Sequence, residues 1–259
     1  MTIEDAGPGR IRTDCLDCGA MFELDDFRAS EFAGTIGRML ERGRRCPACE
    51  KRFLAKREAE ELRRYREARR ARLDDIALEA GLPKKYTPDA PPRPEVFRWV
   101  WEHRTANLLL TGRTGTGKST SACLAAKQML IDPVKIRYAE LRQLLAEWTR
   151  AKTSEFDRYA ADKMLAELYR LDVLIVDEVV GKVALSLSGQ EFVFELLEAV
   201  NSGRCRARLW LLGNFYRNSL EELFGDADPV RRRLQENFVC GMIDERTKTV
   251  KEIDVWRPS

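Results

Sequence analysis

From residue 107 onward, short and almost wholly apolar runs alternate with longer stretches in which apolar residues recur every three or four positions. An apolar run of about five residues between turn residues suits a strand buried on both faces, and the three-to-four spacing suits a helix with one face turned inward. Strands are therefore expected at 107–111, 134–138, 208–212 and 237–243, and within the run from Tyr169 to Glu178. Helices are expected at 118–131, 139–152, 154–169 and 188–200, with a short one at 219–224 closed by Gly225. Asp132-Pro133 stops the first helix, and Leu141, Leu144, Leu145 and Trp148 form the apolar stripe of the second. Ser186 or Ser188 is available to cap the helix at 188, and Gly203 follows its end. A further helix ahead of the first strand carries Trp99 and Trp101, both expected in the core. Strands alternating with helices predict an α/β fold: a doubly wound parallel sheet with right-handed crossovers and helices on both faces.

Upstream the pattern changes. Lys51–Ala80 has good helix formers, few apolar positions and no glycine or proline until Gly81, so it is expected to be a charged helix. Two readings stand for it: a solvated connector, or a basic surface that meets DNA phosphates or a partner. The proline-rich stretch at 88–94 is a stiff hinge. The expected organisation is a small domain at 1–52, a linker helix and hinge at 53–94, and the α/β domain at 95–259.

Between the strand at 107–111 and the next helix stands Gly112-Arg113-Thr114-Gly115-Thr116-Gly117-Lys118-Ser119, with Thr120 following in the first helical turn. The pattern G-x-x-x-x-G-K-[ST] is that of a phosphate-binding loop. Its glycines let the backbone turn its N–H groups inward, and the helix N-terminus adds positive potential. Lys118 supplies a mobile charge for β- and γ-phosphates, and the Ser119 hydroxyl is placed to ligate Mg²⁺. A nucleoside triphosphate is the ligand this loop implies. The strand ending in Asp177-Glu178 puts two acids at the C-terminal edge of the sheet, where open α/β sheets bind ligands. Asp177 is expected in the Mg²⁺ shell, and Glu178 is expected to polarise an attacking water as general base.

A second chemistry lies at the N-terminus. Cys15, Cys18, Cys46 and Cys49 form two C-x₂-C pairs, the spacing of a closed tetrahedral Zn²⁺ site, which is structural because no coordination position stays open. Leu24–Met39, between the pairs, has room for a small helix. Disulfides are the alternative, but residues 1–12 lack the apolar core of a signal peptide, so the expected location is the cytoplasm, where thiols stay reduced. Cys123, Cys205 and Cys240 fall in expected core elements and read as ordinary buried thiols.

Composition narrows the partners. The 45 basic and 42 acidic residues nearly balance, so any nucleic-acid contact must come from local patches. No apolar stretch approaches the length of a membrane span, so no membrane partner is expected.

From about Gly81 onward these residues resemble the AAA+ ATPases of the DnaC/DnaI replicative helicase-loader type and their IstB transposition-helper relatives. The resemblance rests on Gly81-Leu82-Pro83-Lys84-Lys85-Tyr86, the loop at Gly112–Ser119, the strand Val173–Glu178, the strand ending at Asn214, and Val230-Arg231-Arg232-Arg233-Leu234-Gln235-Glu236. It implies ATP with Mg²⁺ as cofactors, Asn214 as sensor of the γ-phosphate, and Arg233 as an arginine finger reaching the neighbouring protomer's nucleotide. Asn214 follows Leu212-Gly213 rather than the family's small hydroxylated residues, and Arg231 and Arg232 stand beside the finger position. The resemblance also implies self-association and a core without a C-terminal helical lid. Single-stranded DNA would be a partner, with Arg150, Lys152, Arg158 and Lys163 as candidate contacts. The expected function is ATP-dependent delivery of a bacterial or phage replicative helicase hexamer to single-stranded DNA, with the zinc module docking on the helicase. An IstB-type helper of DNA transposition and a non-hydrolysing, ATP-ordered DNA-binding scaffold are the alternatives.

Overall fold

The structure, a computed structural model, describes residues 3–7, 10–25, 45–154, 159–179, 186–214 and 228–253. The chain divides into two compact units, 1–68 and 69–259.

In the first unit, β1 (Ile3–Gly7), β2 (Arg10–Asp14) and β3 (Met21–Asp25) form an antiparallel sheet in that order. The period of two is visible in β2, where Ile11 and Thr13 are buried while Arg10 and Arg12 face out. Arg12 lies opposite Glu23 and donates to it at 3.0 Å. Helix α1 (Pro47–Ala71) begins directly after Cys46, with proline in its first position, where the missing N–H costs nothing. The small helix expected within 24–39 falls largely outside the described residues.

Helix α1 is followed by α2 (Leu73–Glu79) in the second unit, so the expected charged helix is divided at Arg72. Gly81, at φ +79°, ends it. A 3₁₀ turn (Lys84–Tyr86) and α3 (Pro94–Glu102) lead into β4 (Asn107–Thr111) and α4 (Lys118–Met129). Then come β5 (Ile136–Glu140), α5 (Leu141–Lys152), α6 (Ala160–Tyr169), β6 (Val173–Asp177), α7 (Leu187–Asn201) and β7 (Arg208–Gly213). The last elements are α8 (Asp228–Asn237), β8 (Phe238–Ile243) and β9 (Val250–Glu252).

The six strands run β5-β6-β7-β4-β8-β9, parallel except for the β8–β9 pair. This is the expected α/β fold, with a parallel-dominated sheet. One face of the sheet packs Leu109, Leu174, Val176, Leu209 and Leu211 against α5 to α8. The other packs Leu108, Leu110, Ile175, Trp210 and Leu212 against α3 and α4. Alternate residues of each strand thus feed opposite apolar layers, and the near-continuous apolar runs follow from burial on both faces.

Most elements fall within two residues of expectation. Strand β5 starts two residues late because the Lys135 carbonyl is taken by the N–H groups of Asp172 and Val173, which makes 134–135 a crossover loop. Helix α6 starts at Ala160 rather than 154. The antiparallel sheet β1–β3 and strand β9 were not anticipated. The helix expected at 219–224 lies outside the described residues.

Candidate nucleotide site and cysteine cluster

Strands β4, β6 and β7 are neighbours in the sheet, and the segments after their C-terminal ends meet at one edge. The register Thr111↔Gly213 sets Asn214 beside the loop that leaves β4. That loop enters α4 through Gly117, which adopts φ +94° as the helix cap. A β-carbon there would lie 2.8 Å from Cγ of Arg93, so both backbone conformation and space demand glycine.

Lys118 is only 8% exposed. Its ammonium donates to the carbonyls of Gly112 at 2.5 Å and Arg113 at 3.0 Å, and to Oδ1 of Asn214 at 2.9 Å. Burial pushes its pKa down, and the negative charge of Asp177 opposes that shift. Thr116 donates to the Arg113 carbonyl at 2.8 Å, and Asn214 Nδ2 donates to Thr114 Oγ1 at 3.3 Å. Arg113 forms an ion pair with Glu245 at 2.8 Å. Gly115 is exposed, and Ser119 and Thr120 are half-buried in the first turn of α4. The structure therefore brings Lys118, Thr114, Thr116 and Asn214 into one hydrogen-bonded group.

Asp177 is 4% exposed at the end of β6. Its Oδ1 accepts the Glu178 N–H and its Oδ2 accepts the Tyr138 hydroxyl, each at 2.8 Å. Two donors leave lone pairs on both oxygens of an ionised carboxylate. Glu178 is exposed and left-handed at φ +54°, an uncommon backbone state for a residue with a β-carbon. The Val179 N–H then ties to the Leu212 carbonyl at 3.0 Å, fixing the chain just beyond the acids. Carboxylate and hydroxyl oxygens from Asp177 and Ser119 suit the hard ion Mg²⁺, and the glycine loop with Lys118 suits a polyphosphate, so the residues fit the ligand their pattern implies.

The arginine triplet lies on α8. Arg233, with its side chain 19% exposed, forms an ion pair with Glu198 at 2.6 Å, donates to the Pro229 carbonyl at 2.9 Å and stacks over the Phe194 ring. Arg232 is exposed and pairs with Glu236 at 2.9 Å, and Arg231 is half-buried. Among the DNA-contact candidates, Arg150 is exposed and Lys152 pairs with Glu191 at 2.9 Å. Lys163 sits on α6, and Arg158 lies outside the described residues.

In the first unit, the four sulfurs of Cys15, Cys18, Cys46 and Cys49 lie within 4.8 Å of one another, and all four thiols are free of disulfides. Four sulfurs at about 2.3 Å from one zinc stand about 3.8 Å apart, and Cys18 and Cys46 are separated by 3.8 Å. The donor set fits Zn²⁺. The Cys46 N–H, donating to Cys15 Sγ at 3.3 Å, is the main reason that thiol is lowered to about 6. Burial pushes Cys49 up to about 12, against the Arg52 guanidinium that donates to its sulfur at 2.9 Å. Arg45 pairs with Asp17 at 2.8 Å and lies over the Phe53 ring.

Sequence reasoning missed Arg52, Arg93, Tyr138, Glu198 and Glu245. Of these only Arg52, three residues beyond a cysteine on a helix, carried a local signal. The others reach their sites through strand register or tertiary packing.

The family described as IstB-like ATP binding protein matches residues 52–208. Among solved structures, the chain is similar to the DnaC helicase loader at 14% identity and a TM-score of 0.48, covering 62% of this chain and 100% of that one. It is similar to DnaI at 18% identity and a TM-score of 0.47, covering 60% and 87%. AMPPCP-bound DnaA from Aquifex aeolicus gives 18% identity and a TM-score of 0.47, covering 64% of this chain and 53% of that chain. The chain thus spans about half the length of that DnaA. No curated protein matches significantly. Among the described residues, no helix is long and apolar enough to cross a membrane.

Proposed function

The chain belongs to the family of IstB-like ATP binding proteins, and from that premise we propose that it is an ATP-hydrolysing loader that delivers a replicative helicase hexamer to single-stranded DNA in the cytoplasm. The observation that carries the ATPase reading is the meeting of Lys118, Asn214 and Asp177 at the ends of three adjacent strands.

On ATP binding, Lys118 exchanges the Gly112 and Arg113 carbonyls for β- and γ-phosphate oxygens, at little cost because the ammonium is already desolvated and positioned. Ser119 and Asp177 would hold Mg²⁺, which when bound would neutralise charge on the transferred phosphoryl group. Asn214, whose Oδ1 accepts from Lys118, turns an Nδ2 hydrogen toward the γ-phosphate. Glu178 stands in water beside Asp177 and takes the proton of the attacking water. Arg233 leaves Glu198 and reaches the nucleotide of a neighbouring protomer, which makes turnover depend on self-association.

The loader reading is preferred because a four-cysteine cluster and the long helix α1 precede the ATPase core, offering a separate module to dock on the helicase. A second reading, an ATPase helper of DNA transposition, is favoured by the IstB-like family match itself. The deciding experiment places the chain, ATP and Mg²⁺ with the replicative helicase of its host and closed circular single-stranded DNA. The loader reading expects helicase to accumulate on the circle, with Lys118→Ala failing to support it. No accumulation, together with ATP-dependent assembly on duplex DNA, would favour the transposition helper.

A further inference from the structure

Strand β5 lies next to β6, and their register pairs Tyr138 with Ile175 and Glu140 with Asp177. Because side chains alternate along strands, Tyr138 and Asp177 share one face and form a diagonal pair, a separation that a long aromatic side chain can span. The phenol does span it, donating to Asp177 Oδ2 at 2.8 Å from a position only 7% exposed.

The ring is fixed from behind. The Tyr138 N–H donates to the Ala80 carbonyl at 2.9 Å, and Tyr86 meets the Tyr138 ring edge-on at 6.4 Å between centroids. At Gly81 a β-carbon would lie 2.6 Å from the Tyr138 carbonyl oxygen, so the chain passes as closely as glycine allows. The segment before the core therefore braces the strand that carries the phenol. None of this is needed to fill the core, since a phenylalanine would pack equally well. Among the described residues the hydroxyl has one hydrogen-bond partner, the acid facing the phosphate loop.

We propose that Tyr138 is a positioning residue for magnesium-dependent nucleotide binding, its hydroxyl fixing the Asp177 carboxylate in the orientation that receives the hydrated ion. This rests on the nucleotide-binding reading above. The phenol occupies one lone-pair direction of Oδ2 and the Glu178 N–H one of Oδ1, so the carboxylate cannot rotate without breaking both bonds. The lone pairs left open are the ones that would be available to a hydrated Mg²⁺. Partners of this kind, behind the atoms that hold a metal, typically change metal affinity by about tenfold or more.

The test uses the full chain and its Tyr138→Phe variant, with a fluorescent ATP analogue titrated at increasing Mg²⁺. The expected result is a rise of about tenfold in the Mg²⁺ concentration for half-maximal binding, with affinity in EDTA and melting in EDTA unchanged. In an Asp177→Ala background the same substitution should have no further effect, because the shared partner is gone. An unshifted Mg²⁺ dependence, or a shift that persists in the Asp177→Ala background, overturns the role of Tyr138 and leaves the nucleotide-binding reading intact. A wild-type chain that binds the analogue without any Mg²⁺ dependence overturns both.

Discussion

Around Lys118 the site is backed by two apolar layers, with Leu108, Leu109 and Leu110 of β4 each at most 1% exposed. Around the cysteine cluster, the buried residues among those described in the strands and knuckles are Ile11, Thr13, Cys15 and Cys49. Two of those four are themselves sulfur donors. The nucleotide site is thus shaped by burial and carries its own internal ligands, in that Lys118 already rests on carbonyl oxygens. Among the described residues, little burial shapes the cysteine site, and four thiols held together need a cation to offset their charge once they ionise.

Removing the ion separates the two regions most sharply. Chelation, or Cys49→Ser, should unfold residues 10–25 and the start of α1, because structural zinc supplies about 10–16 kcal/mol of apparent folding energy. Hydrogen exchange should show those amides losing protection while Leu108–Leu110 keep theirs. Equal loss in both regions would mean that the core depends on the cysteine module, and the contrast would fail.

Smaller effects are expected within the nucleotide site, where substitutions should change chemistry and leave the fold standing. Arg233→Ala should lower assembly-stimulated ATP turnover by about a thousandfold, with nucleotide affinity nearly intact. Mixing it with Lys118→Ala protomers should restore turnover, because each supplies what the other lacks. If Arg233 only braces α7 through Glu198 and Phe194, the variant will melt earlier and mixing will restore nothing. Glu178→Gln should keep ATP binding while slowing hydrolysis by about a hundredfold or more, trapping the assembled state. Turnover at the wild-type rate would remove Glu178 from the mechanism.

The smallest effect belongs to the turn between β8 and β9, whose Glu245 pairs with Arg113. Asp244 is lowered to about 2, first by Lys251 and then by the N–H groups of Arg246 and Thr247. A carboxyl lowered on folding adds stability above its unfolded value near 3.9 and loses that contribution as pH falls toward about 2. Protection of the Arg246 and Thr247 amides, taken relative to their intrinsic exchange rate, should therefore fall between about pH 4 and 2, and Asp244→Asn should flatten that dependence.

The same contrast decides what could be read from the chain. Strand β4 matches its expected span at both ends because burial on both faces leaves a run with no polar interruption. Strands β1 to β3 left no such mark, since only alternate residues of β2 are buried and charged pairs such as Arg12–Glu23 cross the sheet. The phosphate loop and both cysteine pairs were legible because their chemistry fixes residue type and spacing together. Tyr138 was not, because it meets Asp177 only through the β5–β6 register, which no local pattern announces. Likewise, the pairing of Arg233 with Glu198 is a contact between helices distant in sequence.

The loader account is tested most directly by size-resolved binding of the zinc-loaded chain to its host's replicative helicase, with ATP and with ADP. The account predicts a stable complex with ATP that is lost when zinc is removed. No complex in either nucleotide state, with the cysteine module folded and ATP bound, would contradict it.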